Sequence, residues 1–205
     1  MDAARHSYHH GDLRRALLEA GIALAREGGP EAVVLREATR RAGVVPNAAY
    51  RHFASRDALL QAVRAAALAA LAVAMEKELA RARKQPDVAR ASLRAIGIAY
   101  LRFADREPGL FRTAFSVTGD PETAGDPETA GRSGMNPFQL LGAALDQMVA
   151  AGALPAAQRP GAEYLAWSAV HGLAMLALEG PLRRMTRNQI QEIGRRVVAM
   201  VDKGL

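Results

Sequence analysis

The chain has 205 residues, half of them hydrophobic and 23% charged, with no cysteine. That length and apolar content suit one large or two small folded domains, and the missing cysteines exclude a disulfide framework and thiolate chemistry. The formal net charge is +6, but residues 1–57 hold nine Arg against seven Asp and Glu, so the basic excess is spread along the chain and does not locate a nucleic-acid surface.

The first predicted element is a helix from Asp12 to Glu27. Leu13, Ala16, Leu17, Ala20, Ile22 and Leu24 give it a wide apolar stripe, and Asp12 suits the positive end of its dipole. Gly28-Gly29-Pro30 ends it. Before it stand His9 and His10, readable either as an arm reaching toward DNA or as a solvated terminus. They are not a metal site, because no third ligand lies at usable spacing.

The stretch Val33–Leu60 reads as a short helix, a glycine turn, a second short helix and the start of a third. Leu35, Ala38 and Ala42 recur at helical spacing. Gly43 stands where a residue able to take positive φ is wanted, and Pro46 fits the first turn of a new helix. Ala49 and Phe53, four apart, would face the core with Val44, leaving Asn47, Ala48, Tyr50 and Arg51 outside. Two short helices around a glycine turn form a helix-turn-helix suited to a major groove. Asn47 could pair with adenine, Ala48 touch a thymine methyl, and Arg51 reach guanine or phosphate. Arg36, Pro46 and Tyr50 complete the DNA-facing set expected from the pattern.

Residues 57–84 then read as one long helix capped by Ser55, with Asp57 in its first turn and Pro86 as its stop. Its run Ala65–Met75 is alanine-rich but shorter than the ~18 residues expected of a membrane span. The N-terminus lacks a signal-peptide pattern, so a cytoplasmic protein without a membrane segment is expected. Further helices follow over residues 88–105, 109–115, 137–151, 160–178 and 187–201, nine in all, with no convincing strand. The fold class is therefore all-α. Between them lies a perfect Gly-Asp-Pro-Glu-Thr-Ala duplication from Gly119 to Ala130. Residues 119–134 are expected to be a mobile loop, because they have no apolar residue from which to build a packed element before Met135.

In the C-terminal half, Trp167, His171 and Met175 are four apart and share a helix face with Tyr164, while Gly172 would let another helix approach. That face reads either as plain core or as a pocket wall with His171 as its polar anchor, which Phe103, Phe111, Phe115 and Met148 could complete. The Leu173–Leu176 region and the stripe Ile190, Ile193, Val197 and Val201 offer more apolar face than one chain of this size needs. No paired carboxylates, nucleophile triad or phosphate loop supports an enzyme, and no cofactor or metal is expected.

The strings Ala42-Gly43-Val44, Tyr50-Arg51-His52-Phe53 and Ser55-Arg56-Asp57-Ala58-Leu59-Leu60 resemble the DNA-binding region of TetR/AcrR-type regulators. Tyr8-His9-His10-Gly11-Asp12-Leu13-Arg14 resembles the opening of a subgroup with a Trp-His-Gly signature, here Trp167, His171 and Gly172. This resemblance implies a DNA-binding domain over 1–56 and a six-helix ligand-binding and dimerisation bundle over 57–205. It assigns Tyr50 and His52 to phosphates and puts Arg56 where the family has a backbone-holding Lys. It also implies that Leu173, Leu176, Ile190, Ile193, Val197 and Val201 pair with their copies in a homodimer. Val45 and Ala48 depart from the family's usual hydroxyl residues. The expected function is a homodimeric repressor that binds a palindromic operator in double-stranded DNA and is released by a small apolar effector. An activator, or a helical DNA-binding protein without an effector, is the alternative.

Overall fold

The structure, a computed structural model, describes residues 10–116 and 126–205, of which 10–12 and 46 only in their backbone. Among the described residues there is no strand. These described residues form nine α-helices, in order: α1 His10–Gly28, α2 Leu35–Arg41, α3 Pro46–Ala49, α4 Arg56–Ala82, α5 Val88–Arg106, α6 Pro108–Ala114, α7 Pro137–Ala150, α8 Ala162–Leu178 and α9 Arg187–Gly204. Short 3-10 turns fill four of the connections.

The chain forms two compact units. The first holds the residues up to Ala67 together with the α6 segment from Gly109; the second holds the rest. The first unit thus takes in the first twelve residues of the long helix, and α6 with it.

Close backbone approaches explain the first unit. A Cβ on Gly21 of α1 would stand 2.7 Å from Val63 Cγ2 of α4. One on Gly109 of α6 would stand 2.1 Å from the Ala25 carbonyl oxygen and 2.6 Å from that of Arg26, so α6 begins directly on the last carbonyls of α1. The other end of α6 is held from α4, where Arg64 Nε donates to the Ala114 carbonyl at 3.1 Å. Leu17, Val33, Leu59, Val63, Leu110 and Phe111 are fully buried and form the core.

The second unit is organised on α5, which packs against α7, α8 and α9. Gly97 of α5 admits Val198 of α9, and Gly194 of α9 admits Leu101 of α5, each where a Cβ would come within 3 Å. Asp202 near the end of α9 is buried and accepts from Arg90 Nη1 at 3.0 Å and Arg94 Nη1 at 3.2 Å. Asn136 and Thr186 cap α7 and α9, each with a reciprocal bond from the Gln three residues on.

The second Gly-Asp-Pro-Glu-Thr-Ala copy is described from Asp126 onward. It folds as a 3-10 turn, Pro127–Thr129, with Thr129 buried and Asp126 accepting from Glu128 N at 2.9 Å. The segment after it is tied to α4, where Glu76 accepts from Arg132 N, Ser133 N and Ser133 Oγ. A polar segment can close in this way by satisfying backbone donors with carboxylates rather than by burying apolar groups. The first copy and Gly125 of the second lie outside the described residues. Helix α4 is long and apolar enough to cross a membrane by length and composition alone, but half of its most apolar window is buried in the protein, as in a core helix. Within it the uninterrupted apolar run is only Ala65–Met75, bounded by Arg64 and Glu76.

Candidate nucleic-acid interface

The geometry of the head begins with local signals. Leu35 and Ala38 turn the inner face of α2 into the core. At its end Gly43 takes φ +67°, Gly43 N donates to Arg40 O at 3.3 Å, and Val44 N donates to Thr39 O at 3.1 Å. These are the two bonds of a Schellman ending, which satisfies carbonyls the helix would otherwise orphan. Pro46 opens α3. No side-chain cap precedes it, because Val45 has no acceptor and stands 69% exposed. Thus α3 is only one turn, continued by turn residues in which His52 N and Phe53 N both donate to Ala49 O at 2.9 Å. Ala49 and Phe53 are buried as expected from their spacing, whereas Val44 is only half-buried. The Arg14 guanidinium lies 5.5 Å from the centre of the Phe53 ring and ties α1 to this short element.

With those apolar residues turned inward, Asn47, Tyr50 and Arg51 are exposed, Ala48 and His52 half-buried. Arg36 is exposed on α2. The remaining α2 charges are occupied: Arg40 and Arg41 bind Glu37, and Arg41 also reaches Glu27 with both terminal nitrogens. Hydrogen bonds from Arg40 and Arg41 hold the Glu37 carboxyl at about 2, and Arg41 likewise lowers that of Glu27. These pairs brace α2 against α1. Arg36 and Arg51 make no ion pair among the described residues, so they remain the head's available guanidinium groups.

Arg56 binds backbone of its own chain: its Nε donates to Val33 O at 2.9 Å and its Nη2 to Pro30 O at 2.8 Å. Two of its three guanidinium nitrogens are thus engaged by carbonyls that precede α2. Of the two N-terminal histidines, His9 lies outside the described residues and His10 opens α1.

In the second unit, α8 brings Tyr164, Trp167 and His171 together with two residues the sequence pattern did not assign to a site, Tyr100 of α5 and Phe138 of α7. Trp167 Nε1 donates to Tyr100 Oη at 3.0 Å, and Tyr100 Oη lies 2.7 Å from His171 Nδ1. The Tyr100 hydroxyl thus accepts from Trp167 and joins it to the His171 imidazole. Burial pushes the Tyr100 phenol up and the His171 imidazole down, favouring the neutral form of both. Phe103 and Met148 are buried in the same unit and Met175 is half-buried. Phe111 and Phe115 belong to the first unit, where their rings lie 5.0 Å apart. A signal for Tyr100 existed in the sequence: a hydroxyl on an otherwise apolar helical stripe needs a partner.

The faces of α8 also differ from expectation. Leu173 is buried within its own unit, near the Gly194 backbone of α9, so it is not an exposed contact. No atom lies within 4 Å of a Cβ built on Gly172. That glycine admits no helix of its own chain, and it shares an outward stripe with Leu165, Ser168 and Leu176. Ile190, Ile193, Val197 and Val201 on α9 are half-buried, and Met200 is 61% exposed.

A helix-turn-helix head with exposed amide and guanidinium groups, carried on a helical protein, defines a DNA-binding transcriptional regulator. Family models agree: residues 17–63 match "Bacterial regulatory proteins, tetR family" and residues 93–201 match "Tetracyclin repressor-like, C-terminal domain". The chain belongs to the TetR family. Among solved structures, a protein of unknown function from Rhodococcus sp. RHA1 is 27% identical with a TM-score of 0.76, the match covering 98% of this chain and 99% of that one. A TetR-family transcriptional regulator from Pectobacterium atrosepticum is 20% identical with a TM-score of 0.68, covering 98% and 97%. The regulator PfmR from Thermus thermophilus is 23% identical with a TM-score of 0.59, covering 92% and 98%. The last two likenesses concern the fold. No curated protein matches the sequence.

Proposed function

We propose that this regulator is a cytoplasmic homodimeric repressor that binds a palindromic operator and is released by a small, largely apolar effector. The observation that carries the DNA reading is the exposure of Asn47, Tyr50 and Arg51 on one turn whose opposite side is fixed in the core by Ala49 and Phe53. Asn47 reads a base edge, Arg51 reaches guanine or phosphate, and Tyr50 with Arg36 positions the head on phosphates. Self-association is supported by the outward stripe of α8, where Gly172 leaves room for a partner helix between Leu165 and Leu176. One short reading element contacts few bases, and a two-fold pair would read two half-sites about 34–36 Å apart. The effector reading rests on the aromatic group around Trp167 and His171. An effector would act through its differential affinity for the DNA-binding and released states.

The test is selection of bound duplexes from a random pool with wild type, Asn47→Ala and Tyr50→Ala. Wild type should enrich a palindrome. Asn47→Ala should relax it at one base of each half-site, and Tyr50→Ala should weaken binding to all sequences alike. Enrichment of nothing, or of a single half-site by a monomer, would defeat the proposal. A thermal-shift screen of apolar compounds with wild type and Trp167→Ala tests the effector: loss of every stabilising hit in the variant is expected. No hit with wild type would favour the effector-free reading.

A further inference from the structure

We propose that Arg56 is a positioning residue that closes the helix-turn-helix into a ring and sets its orientation on α4, rather than a contact to DNA. The inference rests on the DNA-binding reading of α2 and α3.

The reading elements occupy the stretch of chain between Val33 and Arg56. At the entrance to that stretch, the 3-10 turn Pro30–Ala32 is closed by Val33 N donating to Pro30 O at 3.3 Å. Helix α2 takes its first hydrogen bonds from Val34 O, so the Pro30 and Val33 carbonyls lie outside its ladder. At the exit, α4 starts with Arg56, and Ser55 caps it by accepting from Ala58 N at 3.1 Å. The Arg56 guanidinium spans from exit to entrance and binds the Val33 and Pro30 carbonyls. The first residue of the long helix thus holds both ends of the stretch that carries Arg36, Asn47, Tyr50 and Arg51.

The chemistry requires arginine. Two carbonyls at 2.9 and 2.8 Å are met by two nitrogens of one planar fork, a pairing that an ammonium cannot reproduce as a point charge. Glu31 at 3.7 Å and Asp57 at 3.8 Å keep the cation electrostatically at home, although both carboxylates are mostly exposed and add little. The backbone bonds inside the stretch are short-range turns, the α3 element lacks a side-chain cap, and Arg41–Glu27 and Arg14–Phe53 tie the stretch to α1. Loosening the Arg56 bridge would spread the head over more orientations. Apparent affinity then falls by the fraction of molecules still in the binding-competent one, a factor independent of salt. A lost phosphate contact behaves otherwise, because it removes one released counterion and flattens the slope of log K against log salt by about 0.9.

The experiment measures binding of the selected duplex over a salt series for wild type, Arg56→Lys and Arg56→Met, at a temperature where circular dichroism shows each to be folded. The expected result is weakening by about tenfold in both variants with the wild-type slope retained. Arg56→Lys keeps the charge, so it carries the test alone if Arg56→Met does not fold. The proposal is overturned if Arg56→Lys binds like wild type, or if Arg56→Met flattens the slope by about 0.9. It is also overturned if either variant lowers the melting temperature without changing affinity. Failure of wild type to select any duplex would overturn the DNA reading as well, whereas wild-type selection with unaffected variants would overturn this inference alone.

Discussion

Replacing Gly109 by alanine sets two effects of opposite sign against each other. Gly109 lies inside α6, where helix propensity alone favours alanine by about 0.5–1 kcal/mol. The tertiary structure opposes it. The new methyl would stand 2.1 Å from the Ala25 carbonyl oxygen and 2.6 Å from that of Arg26, well inside contact distance. Both obstacles are backbone atoms at the end of α1, so no rotamer change relieves them, and α6 must move by about 1 Å or strain α1. Overpacking costs about 1–3 kcal/mol where side chains yield, and the upper end or more applies here. Displacement would also strain the buried Leu110, Phe111 and Thr113. The expected outcome is a net loss of about 2–3 kcal/mol, or roughly 4–12 °C in melting temperature. Gly43→Ala is the comparison: its φ is +67° but nothing lies within 4 Å of its Cβ, so only backbone strain of about 1 kcal/mol is expected. Urea and thermal unfolding followed by circular dichroism measure both. Gly109→Ala as stable as wild type would refute the close seating of α6 on α1.

Further outcomes follow from the second unit. Gly172→Leu should stabilise each protomer modestly, because its Cβ site is open within the chain, yet raise the dimer dissociation constant at least about tenfold, read by sedimentation. Unchanged association would remove Gly172 from any interface. Burial holds the His171 imidazole below its ordinary 6.5, so the unfolded chain takes up the proton first. Its contribution is therefore complete above about pH 6.5 and lost as pH falls below that value toward the lowered pKa of the folded protein. Melting temperature should drop across that window in wild type and drop less in His171→Gln; parallel curves would show that the Tyr100–His171 contact imposes no proton linkage.

The reading of α2, α3 and their turn was legible because its determinants are local. Gly43 was wanted at positive φ, Pro46 at a helix start, and Ala49 and Phe53 at one helical spacing, and the structure places each accordingly. Those requirements involve bonds between residues a few positions apart, which a sequence displays side by side. The same holds for the all-α class and the helix bounds, set by stripes, caps and glycines. Long-range pairing decided the rest. Nothing near Arg56 in the sequence marks Pro30 and Val33 as its partners, and only the fold brings their carbonyls to it. Tyr100 is one more stripe residue until α8 presents Trp167 and His171. The polar stretch 126–133 lacks an apolar stripe, but Asp126 accepts from Glu128 N within the second copy and Glu76 of α4 accepts from Ser133 N just after it. Leu173 and Leu176 look equivalent in the sequence. The rotation of α8 against α9 buries the first and leaves the second 45% exposed, because three residues along a helix turn a side chain about 60° away from the original direction.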